Sequence, residues 1–164
     1  MTGRAWKFSD NISTDEIIPG RYMSLRSNLP ELAKHTLEDA RKEFPSRVGK
    51  GDFVVAGKNF GMGSSREHAP IVIKMCGVTA VLAQSFARIF YRNAINIGLP
   101  AIVCDTTAID EGDELELHLS DGILDNLTRK TKIRFPAMSS TMDAILSEGG
   151  LIAYVEKHGD LVFS

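Results

Sequence analysis

The densest run of reactive side chains in the sequence is Gly57-Lys58-Asn59-Phe60-Gly61-Met62-Gly63-Ser64-Ser65-Arg66-Glu67-His68. Two adjacent hydroxyls, a guanidinium, a carboxylate and an imidazole stand directly behind glycines at 57, 61 and 63. Glycine tolerates positive φ and close backbone approach, so such a loop can turn its N–H groups toward an anion. A serine next to an arginine in that setting can bind a carboxylate, and the same positive surroundings favour a serine alkoxide. Part of the pattern has a purely structural account. Ser64-x-x-Glu67 has capping-box spacing, which would start a helix near Ser65. That leaves Ser65 and Arg66 unexplained, and Pro70 falls where this helix needs a backbone donor. Other loop chemistries are excluded by the residues themselves. A nucleotide-phosphate loop ends in Gly-Lys-Ser/Thr, whereas Gly63 is followed by Ser64; the dinucleotide fingerprint lacks its third glycine; and no Gly-x-Ser-x-Gly elbow is present.

The elements that must hold this loop can be read on either side of it. Asp52-Phe53-Val54-Val55-Ala56 reads as a buried strand, Ser65–Cys76 as a helix closed by Gly77, and Thr79-Ala80-Val81-Leu82-Ala83 as a second strand. Phe86, Ile89, Phe90, Ala94 and Ile97 recur at helical spacing until Gly98 and Pro100 end the pattern, and Ala101-Ile102-Val103-Cys104 is a third strand. Strand-helix-strand-helix-strand with short connections is an α/β pattern with a parallel sheet, whose ligands gather beyond the carboxyl ends of the strands. The loops at those ends are 57–65 and Gln84-Ser85. Beyond residue 110, alternation at Leu115, Leu117 and Leu119, and again over 130–135, predicts a smaller antiparallel layer. Helical pieces are predicted over 142–148 and 151–157, a strand over 4–8 and a surface helix from Pro30 to Phe44. The segment 22–29 offers little to bury and is expected to be mobile.

Composition narrows the function. With 164 residues, 43% of them hydrophobic, the chain reads as one domain spanning 1–164 that can bury a core without staples. A formal charge of −2 supplies no cationic surplus for nucleic acid, so none is expected as a partner. Cys76 and Cys104 are the only cysteines, too few for a disulfide framework or for the ligands of a cluster, and His35, His118 and His158 lack ligand spacing. No bound metal is expected in this chain. Met1–Lys7 has no apolar stretch and no run approaches a membrane span, so a reducing cytoplasmic setting without membrane contact is expected.

Gly61-Met62-Gly63-Ser64-Ser65-Arg66-Glu67-His68 resembles the Gly-x-Gly-Ser-Ser-Arg-Glu loop of the swivelling domain of the aconitase superfamily. Ser13-Thr14-Asp15-Glu16-Ile17-Ile18-Pro19 resembles that domain's Asp-Thr-Asp-x-Ile-Ile-Pro segment, with serine at 13 in place of aspartate. Gln84-Ser85-Phe86-Ala87-Arg88-Ile89-Phe90 with Asn93, and Glu148-Gly149-Gly150-Leu151, fit in the same order, so the resemblance covers nearly the whole chain. The length matches the free-standing small subunits of 3-isopropylmalate dehydratase and its relatives. The resemblance implies a three-layer β/β/α swivelling fold and half of a hydro-lyase. A large subunit, joined as heterodimer or heterotetramer, would carry a 4Fe-4S cluster, and this chain would act on a small hydroxy-dicarboxylate or tricarboxylate. It assigns Ser64 as the base, Ser65 and Arg66 as carboxylate binders, and Asp15, Gly61, Gly63, Glu67 and His68 as support. The substrate's variable group would be read by Tyr22, Met23, Ser24, Leu25 and Arg26. Met23 and Leu25 suit an isopropyl group; Arg26 and Arg21 suit the additional carboxylate of a homocitrate-type substrate. Isopropylmalate is the reading adopted, with homoaconitase or another substituted-malate dehydratase as the alternative, and a non-catalytic anion- or partner-binding module as the alternative of a different class.

Overall fold

The apolar runs Phe53–Val55 (β2), Ala80–Ala83 (β3) and Ala101–Val103 (β4) form neighbouring parallel strands, as their near-continuous hydrophobicity requires of strands covered on both faces. In the computed structural model, which describes residues 1–159, β1 (Thr2–Lys7) joins them as a fourth parallel strand. β1 also pairs on its other edge, antiparallel, with β5 (Glu114–His118), followed by β6 (Ile123–Asn126) and β7 (Thr131–Arg134). The result is one seven-stranded sheet in the order β4-β3-β2-β1-β5-β6-β7.

Alternation along the strands separates two cores. Val54, Val81 and Ala83 face a helical layer, while Phe53, Val55, Ala80 and Leu82 pack with Leu115, Leu117, Leu124 and Phe135 of the antiparallel half. The sheet therefore curls over its own inner face, giving two β layers and one α layer. The helical layer contains α1 (Thr14–Ile17), a 3-10 helix (Gly20–Leu25), α2 (Leu29–Ala33), α3 (Phe44–Arg47), α4 (His68–Met75), α5 (Arg88–Asn96), α6 (Ser140–Ser147) and α7 (Leu151–His158). Among the described residues, no helix is long and apolar enough to cross a membrane.

Three local expectations change. The helix predicted from Pro30 to Phe44 is broken into α2 and α3, because Leu37 is fully buried, adopts φ +56° and donates its N–H to Ile17 O at 3.0 Å. A tertiary contact outweighs helical propensity there. The segment 20–29 is folded rather than loose: Tyr22, Met23, Leu25 and Leu29 lay part of their surface on the core. Finally, α4 begins at His68 and not near Ser65. This start places Pro70 at the third helical position, where its missing N–H costs no intrahelical bond.

Gly61 fixes the approach of the glycine loop to α5. Its φ is +84°, and a Cβ there would lie 2.3 Å from Phe90 Cγ, whereas Gly112, with φ +82°, has open space around it. Gly61→Ala should therefore lose about 1–3 kcal/mol more stability than Gly112→Ala, the difference being overpacking alone. Urea unfolding of the two variants measures it, and equal losses would mean that the loop can shift away from Phe90.

Candidate active site

The loop between β2 and α4 is held on both sides by backbone pairing. On one side Gly61 N donates to Ile12 O and Thr14 N to Met62 O, both at 2.8 Å; on the other Phe60 N donates to Ser85 O at 3.1 Å and Ala87 N to Phe60 O at 2.9 Å. Parallel bridges Ser13–Met62 and Phe60–Phe86 extend the sheet past its strand ends. Phe60 is fully buried and meets Phe90 edge-on at 5.1 Å and Phe86 edge-on at 6.1 Å. Its burial stabilises by about 1.5–3 kcal/mol, which anchors the loop to α5.

Past this anchor the chain turns out to solvent. Gly63 has φ +100°, and the Ser64 carbonyl accepts a 2.8 Å hydrogen bond from the buried Thr14 hydroxyl. Ser64 and Ser65 are exposed. Their hydroxyls, and the backbone N–H groups from Gly63 to Glu67, find no acceptor among the described residues. The Ser64–Glu67 capping box does not form; Glu67 is the N-cap of α4, with no side-chain cap, and His68 is the first helical residue, half-buried. Among the described residues, the backbone N–H groups ahead of α4 are thus left without an internal acceptor.

Arg66 is the fixed cation of this group. Its Nη1 donates to Asp15 Oδ1 at 3.0 Å and to the Ile18 carbonyl, and Asp15 Oδ1 also accepts from Gly20 N at 3.1 Å. Asp15 itself stands on α1, whose N-cap is Ser13. The Ser13 hydroxyl accepts from Glu16 N at 3.1 Å while Glu16 Oε1 accepts from Ser13 N at 3.2 Å, a complete capping box. Serine and aspartate cap equally well, so serine at 13 preserves the turn that aims Asp15 at Arg66.

Ser64, Ser65 and Arg66 share a cavity of about 320 Å³ with Thr14, Gly61, Gly63, Ala87, Arg88, Ile89, Phe90 and Asn93. That volume lies at the lower end of small-molecule sites. Arg88, Ile89 and Asn93 belong to the third of the family motifs read from the sequence but were given no role in the site, although the loop at 84–85 marks the second strand end at which ligands gather. A larger groove of about 650 Å³ runs along Thr2–Trp6, Arg41, Arg47 and Lys50 and shares no residue with this cavity.

Tyr22, Met23, Ser24, Leu25 and Arg26 do not line the cavity; Gly20, packed beside Asp15 and Arg66, connects their segment to it. Tyr22 stacks on His35 at 3.7 Å, and Arg21 lies 4.7 Å over the Tyr22 ring. Arg21 donates to both oxygens of Asp39, at 2.7 and 2.9 Å, and to Glu38 at 3.1 Å. The Asp39 carboxylate raises the Arg21 pKa further, and the Arg21 guanidinium holds the Asp39 carboxyl below its usual range. Burial pushes the Glu38 carboxyl up, but His35, Tyr22 and Arg21 together bring it below its usual range. Arg21 is thus occupied by internal acids. Among the described residues, the Arg26 guanidinium donates only to Met23 O, at 3.5 Å.

The Aconitase C-terminal domain family model matches residues 7–106, which include every cavity residue. The chain belongs to this family. It is 62% identical over 161 residues to "3-isopropylmalate dehydratase small subunit 2" of Archaeoglobus fulgidus, covering 98% of both chains. It is 54% identical to "Methanogen homoaconitase small subunit" of Methanothermobacter thermautotrophicus, covering 96% of this chain and 91% of that one. Among solved structures, 3-isopropylmalate dehydratase of Methanocaldococcus jannaschii superimposes with a TM-score of 0.92 at 45% identity, over 96% of this chain and 94% of that one. Family membership raises the question of a 4Fe-4S cluster, and the cysteines here do not fit one. Cys76 and Cys104 are two free cysteines, short of the three or four thiolates such a cluster takes; burial raises the thiol pKa of Cys76 and, with the Asp105 charge, pushes that of Cys104 up to about 12. No cluster-binding group occurs among the described residues.

The Ser13 cap supplies a direct check on the Asp15–Arg66 geometry. Ser13→Ala should cost about 1 kcal/mol and Ser13→Asp less than about 0.5 kcal/mol in thermal unfolding. A loss of the same size for Asp as for Ala would show that the cap does not position this turn.

Proposed function

We propose that the chain is the small subunit of a heteromeric hydro-lyase that interconverts 2-isopropylmalate and 3-isopropylmalate by dehydration and rehydration, a step of leucine biosynthesis in the cytoplasm. The observation that carries this reading is the cavity in which Ser64, Ser65 and an Asp15-anchored Arg66 meet beside unpaired backbone donors. Relatives at 62% and 58% identity bear the name of that enzyme's small subunit.

The elimination needs a base for a proton on carbon next to a carboxylate. Ser64 fills this role: its hydroxyl is uncommitted, its backbone is pinned through Thr14, and it adjoins the guanidinium and N–H groups that stabilise an alkoxide. Arg66 and Ser65 bind one substrate carboxylate, for which the planar guanidinium, already oriented by Asp15, is suited. Gly61 and Gly63 shape the loop, and Glu67 and His68 open α4 behind it. As the proton passes from carbon to Ser64 Oγ, the neighbouring C–O bond breaks and the double bond forms; return of the proton and of water to the exchanged carbons completes the isomerisation. The partner large subunit carries the 4Fe-4S cluster and supplies the Lewis acidity for hydroxyl departure.

Within this class a second reading is favoured by the exposed Arg26 and by the homoaconitase relative at 54% identity. The segment Tyr22–Arg26 presents Ser24 and Arg26 to solvent and rests Tyr22, Met23 and Leu25 partly on the core, so it offers a substrate both apolar flanks and one cation. The reconstituted complex should turn over isopropylmalate faster than homocitrate; the reverse order would move the assignment to homoaconitase.

Ser64→Ala tests the base. Because the hydroxyl makes no internal hydrogen bond, stability should change by less than about 0.5 kcal/mol. Turnover should fall by about 10²–10⁴, the usual range for loss of a positioned base. Activity within about twofold of wild type would exclude Ser64, and failure of the isolated chain to activate any cluster-bearing large subunit would favour a binding module instead.

A further inference from the structure

We propose that Arg88 binds the second carboxylate of the substrate, opposite the one held by Arg66 and Ser65; the inference rests on the dicarboxylate reading above. Arg88 lines the same cavity as Ser64, Ser65 and Arg66, on the wall formed by the first turn of α5.

The assignment follows from how the cations around the site are already used. Arg21 is paired with Asp39 and Glu38 and stacks on Tyr22. Arg66 spends Nη1 on Asp15 and on the Ile18 carbonyl. Arg26 lies outside the cavity. Arg88 is exposed, and its guanidinium makes no ion pair or hydrogen bond among the described residues. A dicarboxylate entering the cavity therefore meets one guanidinium already oriented by an acid and one with all of its donors open. Arginine's planar fork suits the second carboxylate as well as the first.

The position of Arg88 is fixed by the same contacts that fix Ser64. Ala87, immediately before it, donates its N–H to Phe60 O at 2.9 Å. Two residues after it, Phe90 stacks parallel to Phe86 at 6.1 Å and meets Phe60 edge-on. Phe60 thus ties the first turn of α5 to the loop that carries the serines. The two walls are attached to one buried anchor, which suits binding a substrate of fixed length at both ends. Asn93, farther along α5 on the same wall, adds a neutral donor and acceptor.

The test uses the complex reconstituted with its large subunit and the substituted malate that the wild-type complex turns over. Arg88→Gln should raise KM by about tenfold or more while kcat stays within about threefold, and Arg88→Lys should recover part of the loss. The discriminating readout is inhibition by malate against lactate, the second being a hydroxy acid with only one carboxylate. The preference for malate should shrink by about tenfold in Arg88→Gln, a change that a structural role or a subunit contact would not produce. A KM within about twofold of wild type, an unchanged malate preference, or a loss confined to the affinity for the large subunit would each overturn the assignment. A wild-type complex that dehydrates no substituted malate defeats the functional reading and this inference together, whereas an active wild type with an unaffected Arg88→Gln defeats the inference alone.

Discussion

The site depends on a backbone constraint: the chain from Lys58 to Met62, although turned at Asn59 and Gly61 by positive φ, is hydrogen-bonded through its backbone to Asn11–Thr14 on one side and Ser85–Ala87 on the other, beyond the ends of the parallel strands. Backbone hydrogen bonding places atoms more precisely than side-chain packing alone, because each hydrogen bond removes a backbone freedom on both partners. With its neighbours fixed on both sides, the loop can only leave the sheet after Met62, and Gly63 supplies the left-handed step by which it does so. Ser64 is then presented at the rim with its carbonyl tied to Thr14.

Charge is arranged on the same frame. Asp15 reaches Arg66 from α1, a helix of one turn that could not persist alone and is held by its Ser13–Glu16 box and by burial of Thr14 and Ile17. The pair is too exposed on the Asp15 side to contribute much stability, since Asp15 is 66% accessible. Its effect is geometric. Nη1 is taken, so the remaining face of the guanidinium has a defined direction. The Arg21, Asp39 and Glu38 group does the corresponding work for the 3-10 helix, fastening it to the turn after α2 and keeping that segment next to Gly20 and Arg66.

The parallel centre was legible because burial on both faces leaves a continuous apolar run, and nothing else in the sequence produces three of these at such intervals. Ser64, Ser65 and Arg66 were legible because polar groups of that density between a strand and a helix are expensive unless used. Two capping boxes of identical spacing, Ser13-x-x-Glu16 and Ser64-x-x-Glu67, show where local reading fails. The first forms; the second does not, because Pro70 requires α4 to begin later and the intervening residues are drawn toward Asp15 and Ile18. The helix expected over 30–44 failed for a similar reason, the burial of Leu37 against Ile17, a contact between residues distant in sequence. Arg88 and Asn93 were visible as part of a motif but were given no site role, because chemistry was sought in one dense segment while the cavity is completed by a helix with unremarkable composition. The signal for them was topological, the adjacency of successive strand ends.

Exposure explains why such a site comes as one half of an enzyme. On this chain Ser64 stands in water, where a serine alkoxide is far out of reach and where a guanidinium's influence is screened. Ile89, which lines the cavity, and Met62 in the adjoining loop are both large hydrophobic residues left exposed, at 44% and 40% accessible. In the proposed complex, covering these residues would remove water from the cavity, strengthen every interaction of Arg66 and the backbone donors with developing negative charge, and bring the partner's chemistry to the substrate at the same moment. On the proposed reading, assembly would be a condition for ionising Ser64 as well as for supplying the cluster. A scaffold whose backbone fixes the loop without partner contacts, and whose side chains become reactive only when enclosed, meets that condition while leaving the isolated subunit inert.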